Sequence, residues 1–223
     1  WKVLVLKEIG KLKSNYLKIG KEAIYLVGEM LNNICISGKI LYVADPFVDK
    51  LYGDIVRSQI ETVGCMEIKL CEFNTIEYAI DIAEHCIATD VSCIIGLGGG
   101  KVLDVCKYAA YISKTPYLSI PTTAANDGIV SPISVLKGKD DRPKSLGAVM
   151  PAMVLIDTEV IANGPIKNIK AGIGDTISNY MALLDWEFAV SRGKDVMNGY
   201  AYLMSRSSLD ALMKSQYDAI CPE

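Results

Sequence analysis

The sequence predicts an α/β chain: a doubly wound, mostly parallel sheet followed by a helical segment. Three observations carry that expectation. Short apolar runs at 39–44, 93–97 and 117–120 alternate with segments of helical spacing, the pattern of strands linked by crossover helices. One of those runs passes through Gly98, Gly99 and Gly100 straight into a helix start. From Glu159 onward, apolar residues recur every three or four positions with no strand-like alternation.

Taken in order, residues 1–17 are expected to form an irregular or hairpin-like opening. Ile24, Val27, Leu31 and Ile34 give 20–34 a helical face. Lys39 to Ala44 reads as a strand stopped by Asp45-Pro46, because the residue before proline is pushed out of helical geometry. Leu51, Ile55 and Ile60 predict a helix over 49–62, and the alternation at 66–73 predicts a strand with one wetter face. A helix over 75–89, a buried strand over 93–97, a helix over 102–113 and a strand over 117–120 closed by Pro121 follow. Strand material is expected at 133–137 and 148–156, with 137–144 as an exposed turn. Helices are expected over 173–189 and 198–218, which would leave Leu203, Leu209, Leu212 and Met213 on an uncovered face. The triplet Asn163-Gly164-Pro165 sets an expected boundary between an α/β domain, 1–163, and a partial helical domain, 164–223.

Composition narrows the function classes. The chain has 223 residues, is 51% hydrophobic and carries a net charge of −3 with no basic stripe, which argues against a nucleic-acid partner. No apolar run is long enough to span a membrane. Seven cysteines without a C-x-x-C pair read as reduced thiols, so a cytoplasmic location is expected.

Several residues could carry chemistry. Bare backbone at Gly98, Gly99 and Gly100 beside a helix N-terminus can cradle a pyrophosphate, although a tight strand-to-helix turn explains it too. Asp45, at the carboxyl end of an early strand, could accept bonds from an adenosine ribose and repel the extra phosphate of NADP; it could equally just start a turn. Thr122, Thr123 and Ser131 follow a strand, where hydroxyls can meet phosphate or ribose. Asp127 could orient a polyol hydroxyl, while Asn126-Asp127-Gly128 also suits a turn. Asp175, flanked by Gly172 and Gly174, reads first as a helix N-cap and second as a metal ligand. His85, the one histidine, falls within an expected helix and reads as structural or surface.

The ordered set Gly98-Gly99-Gly100-Lys101-Val102-Leu103-Asp104, Pro121 through Gly128, and Gly172-Ile173-Gly174-Asp175 resembles the glycerol dehydrogenase and sn-glycerol-1-phosphate dehydrogenase group. That group belongs to the iron-containing alcohol dehydrogenase superfamily, with a dehydroquinate synthase-like architecture. Asp127-Gly128 and Asp185-Trp186 lie closer to the glycerol-1-phosphate branch. The resemblance implies a Rossmann-like NAD(P) domain, a helical second domain and an active site in the cleft between them. It places the pyrophosphate at Gly98, Gly99, Gly100, Lys101 and Asp104, further cofactor contacts at Thr122, Thr123 and Ser131, and the ribose at Asp45. It makes Asp127 the substrate residue and Asp175 the aspartate ligand of a catalytic divalent metal: zinc, or iron or nickel in some members. The implied reaction is metal-assisted hydride transfer between NAD, or NADP, and a small polyol such as glycerol or glycerol 1-phosphate, in a homo-oligomer. The group takes two further ligands from later histidines that this sequence lacks, so a C-terminally incomplete chain is expected. A non-catalytic NAD-binding fragment and a dehydroquinate synthase-like lyase stay open as alternatives.

Overall fold

A computed structural model describes residues 17–214. The expected opening over 1–16 lies outside the described residues. The described chain divides into a sheet unit, residues 17–124 with 128–165, and a helical unit, residues 125–127 with 166–214.

The sheet unit holds six parallel strands: β1 (Leu17–Gly20), β2 (Lys39–Ala44), β3 (Cys65–Leu70), β4 (Val91–Gly98), β5 (Tyr117–Pro121) and β8 (Met153–Asp157), in the order β1-β8-β5-β4-β2-β3. Both faces are covered, which is why β2 and β4 are near-continuous apolar runs. Ile40, Tyr42 and Ala44 enter one core, against the 3-10 turn Ala23–Leu26, α1 (Val27–Asn33) and α2 (Asp54–Ile60). Leu41 and Val43 enter the other, against α3 (Ile76–Ala88) and α4 (Gly100–Ser113).

Four expectations change in detail. The helix expected over 20–34 opens as the 3-10 turn and becomes α-helical only at Val27. The helix expected from Asp49 starts at Pro46 and passes through a π turn, Asp49–Gly53, before α2. Gly53 leaves space there for Arg57 to pair with Asp49, which also accepts a 2.8 Å bond from the buried Tyr42 hydroxyl. The turn expected over 137–144 is shorter, because Pro143–Gly147 forms β7, antiparallel to β6 (Ile133–Lys137). The strand expected from 148 begins at Met153.

β8 runs into α5 (Thr158–Ala162), capped by Asp157. In the helical unit, α6 (Ile166–Ser191) and α7 (Gly199–Lys214) pack together, with Tyr202 donating a 2.6 Å bond to Glu187 and Arg206 over the Tyr180 ring. Asp175 lies inside α6, not at a helix start, so its expected N-cap role is corrected. Gly172 and Gly174 sit within the helix despite their weak propensity, since the apolar spacing around them continues. Ile177, Met181, Leu184 and Phe188 on α6 are exposed, as are Leu203 and Met213 on α7; Leu209 and Leu212 are half-buried.

The thiols sort by depth. Burial pushes Cys71 and Cys86 up to about 11 and Cys93 up to about 12, and holds Cys106 well above the usual thiol range, whereas Cys35 and Cys65 are exposed. Iodoacetamide at pH 8 is expected to label Cys35 and Cys65 at least tenfold faster than these four in the folded protein. Peptide mass mapping against time checks this; early labelling of Cys93 or Cys106 would contradict the packing.

Candidate functional site

The sheet order reverses between β2 and β4: the chain leaves β2 toward β3 on one side, and β4 toward β5 on the other. At such a switch point the carboxyl ends of the strands open a crevice suited to a ligand. The residues at that point are Asp45 and Gly98. The Asp45 N–H donates to the Leu97 carbonyl at 3.1 Å, and the Thr122 N–H donates to the Gly98 carbonyl at 3.0 Å. Three strand ends are thus tied in a row.

Gly98 must be small, because a Cβ there would stand 2.9 Å from Val102 Cγ2 and 3.4 Å from Asp45 Cβ. Gly99 is the N-cap of α4 in an extended conformation, and no side chain caps the helix. Its carbonyl accepts from Val102 and Leu103 at 3.0 and 3.2 Å, which closes the first turn. The backbone N–H groups of Gly100 and Lys101 precede these, at the positive end of the helix dipole. Thr123 stands beside Gly99, its Oγ1 3.4 Å from where a Gly99 Cβ would be. The chemistry of this donor set (uncapped N–H groups, a threonine hydroxyl and bare backbone) fits a diphosphate.

The other candidates are placed as follows. Asp45 lies at the expected edge, but its Oδ1 caps the next turn, accepting from Phe47 and Val48 at 2.9 and 3.1 Å. The turn-starting role is therefore realised, and Oδ2 is not part of the cap. The Lys101 ammonium donates to the Glu72 carbonyl at 2.6 Å, turned toward the loop after β3. Asp104 pairs with Lys107 at 2.9 Å, one turn further along α4, and meets the Val135 backbone. Burial raises its pKa, opposed by Lys107. In this structure Asp104 is thus engaged with Lys107 and the β6 backbone, one turn into α4 from the glycine corner. Ser131 presents its carbonyl to Lys107 at 3.5 Å.

In the helical unit, Asp127 and Asp175 are brought together across 48 positions: the Asp127 N–H donates to Asp175 Oδ2 at 3.0 Å. Among the described residues no group of three or more histidine, cysteine, aspartate or glutamate side chains could hold a metal ion. His85 pairs instead with Glu67 at 2.8 Å, in keeping with the structural or surface reading. Sequence reasoning missed Lys107, fully buried on α4, although a lysine on the same helical face as Leu103, Cys106 and Ala110 was a legible signal.

An α/β scaffold with a glycine corner at its switch point defines the class, that of parallel-sheet proteins whose ligand crevice lies at the carboxyl edge. The chain belongs to the iron-containing alcohol dehydrogenase family, whose model it matches over residues 18–165. Similar relatives include the glycerol-1-phosphate dehydrogenase (NAD(P)+) of Aeropyrum pernix, 38% identical over 80% of this chain and 50% of its own length. The Haloquadratum walsbyi enzyme of the same name is 36% identical over 94% of this chain and 59% of its own. Glycerol dehydrogenase from Schizosaccharomyces pombe has the same fold, with a TM-score of 0.76 at 24% identity, over 92% of this chain and 53% of that one. The chain spans about half the length of the curated relatives it matches.

Proposed function

We propose that the chain serves an NAD(P)-dependent oxidoreductase acting on a small polyol or its phosphate, glycerol 1-phosphate and dihydroxyacetone phosphate foremost. Family membership and the names of the relatives support it, and the glycine corner between Asp45, Gly99 and Thr123 is the observation that carries it. Residues 1–163 would be the NAD(P)-binding domain and 164–223 the metal and substrate part. No helix among the described residues is long and apolar enough to cross a membrane. The six described cysteines are free thiols, which suits a reducing, cytoplasmic setting, and a homo-oligomer is proposed with the family resemblance.

In this reading the N–H groups at the start of α4 hold the diphosphate, with Thr122, Thr123 and Ser131 supplying hydroxyls beside it. Asp45 Oδ2 accepts from the adenosine ribose while Oδ1 keeps the cap. The nicotinamide, when bound, takes up or returns the hydride. Asp127 orients the polyol hydroxyls. Asp175 would be one carboxylate ligand of a divalent metal, zinc foremost, with iron or nickel as substitutes. The described residues do not by themselves complete a metal site.

The same observation favours a second reading, in which the chain binds NAD and turns nothing over. Two measurements separate them. NAD+ titration by calorimetry tests the corner, and NADH formation from glycerol 1-phosphate with added zinc tests turnover. Binding without turnover selects the second reading; neither binding nor turnover removes both. Asp45→Asn keeps an acceptor for the cap, so stability should stay within about 1 kcal/mol. The NADP+ to NAD+ affinity ratio should rise at least fivefold as the charge facing a 2′-phosphate is lost. An unaltered ratio would detach Asp45 from the ribose.

A further inference from the structure

We infer that Lys107 is a positioning residue: its buried ammonium sets the course of the segment that carries Asp127 and Ser131. The inference rests on the roles proposed for those two residues. Lys107 has no solvent exposure, although a lysine is among the residues least often found fully buried. Its ammonium meets four acceptors: Asp104 Oδ1 at 2.9 Å, the Gly128 carbonyl at 2.8 Å, the Ile133 carbonyl, and the Ser131 carbonyl at 3.5 Å. An ammonium has three N–H bonds, so the three nearest partners saturate it and Ser131 takes an outer place.

Two of those three partners are backbone carbonyls on one short segment, five residues apart. The chain from the 3-10 turn Asp127–Ile129 to the first residue of β6 has thus been wrapped around one point charge in the interior. The residue just before the first clamped carbonyl is Asp127, whose N–H is bonded to Asp175. The same segment begins with Thr122, bonded to Gly98 at the glycine corner. Lys107 itself stands on α4, the helix whose N-terminus closes that corner. One helix therefore presents its N-terminus to the proposed diphosphate site and, two turns later, holds the loop bearing the proposed substrate carboxylate. A lysine kept only for stability has a cheaper substitute, since an apolar side chain of similar length would need no partners. What methionine cannot do is gather the carbonyls of 128 and 133.

The test is Lys107→Met, with Lys107→Gln as a second variant that keeps a donor. Hydrogen exchange is followed on 125–133, on the β2 and β4 amides and on the remainder of α4, alongside NAD+ affinity. Lys107→Met is expected to speed exchange across 125–133 at least tenfold, with β2 and β4 unchanged and the NAD+ Kd within about threefold. Lys107→Gln should fall between it and the parent. Where turnover is present, KM for the polyol substrate should rise more than kcat falls. Uniformly faster exchange in both variants, or a folded variant with unaltered exchange at 125–133, would overturn the inference. If the parent chain shows no turnover, the exchange result still decides the role of Lys107, and only the substrate reading is lost.

Discussion

Gly99→Val is expected to weaken NAD+ binding at least tenfold, about 1.4 kcal/mol, while the protein stays folded. The two halves of that expectation have separate origins. Gly99 lies in an extended conformation, φ −84° and ψ −175°, which a β-branched residue adopts readily. A Cβ there would meet Thr123 Oγ1 at 3.4 Å and Cγ2 at 3.8 Å, ordinary contact distances. Stability should therefore change by no more than about 1 kcal/mol. The two added methyl groups, however, would stand over the N–H groups that open α4, where a diphosphate has to approach closely. Gly98→Ala makes the contrasting control, since its Cβ would press on Val102 and destabilise the fold by about 1–3 kcal/mol. Calorimetric titration with NAD+ and a thermal melt separate the two effects. An unchanged Kd for Gly99→Val would remove the corner from cofactor binding.

The largest expected loss of stability comes from Asp157→Ala. Asp157 is almost wholly buried at the end of β8, and its carboxylate accepts three backbone N–H bonds. Glu159 and Val160 donate to Oδ1 at 2.9 and 3.2 Å, which caps α5, and Ile24 donates to Oδ2 at 3.0 Å from the 3-10 turn before α1. The cap alone contributes about 1 kcal/mol. Leaving the buried donors without partners adds roughly 1–3 kcal/mol more. A total near 3 kcal/mol is a large share of the ~5–15 kcal/mol that holds a typical domain folded. Asp157→Asn retains one acceptor oxygen and should lose about half as much. Urea unfolding checks both; a loss below about 1 kcal/mol for alanine would mean that water replaces the carboxylate at little cost.

Particular residues explain what could be read in advance. β2, β4 and β5 were legible because their apolar runs end at strong punctuation: Asp45-Pro46, Gly98 to Gly100, and Pro121. Strand β7 was not, since Pro-Lys-Ser-Leu-Gly is mostly exposed and carries no alternation. The glycine corner was legible because it is built from backbone, and backbone geometry follows from glycine content. The Lys107 partner of Asp104 was not legible, because it is decided by which face of α4 the β6 segment covers, a tertiary fact. Asp175 was misplaced because glycines at 172 and 174 imitate a helix start, whereas the surrounding apolar spacing keeps α6 going. Of the two open readings of Asp45, the structure shows the turn-starting one, with one carboxylate oxygen in a cap; the ribose contact belongs to the proposal.

The helical unit draws Asp127 from a stretch 39 residues ahead of α6, and this governs how the protein can be cut. An expression fragment starting at Ile166 would leave Asp175 without the main-chain donor it meets here, and one stopping at Pro165 would keep residues 125–127 bereft of their tie. Dissection at the obvious turn at 163–165 yields two pieces that each lack something the other owns; a faithful split would have to graft the tripeptide 125–127 onto the helices.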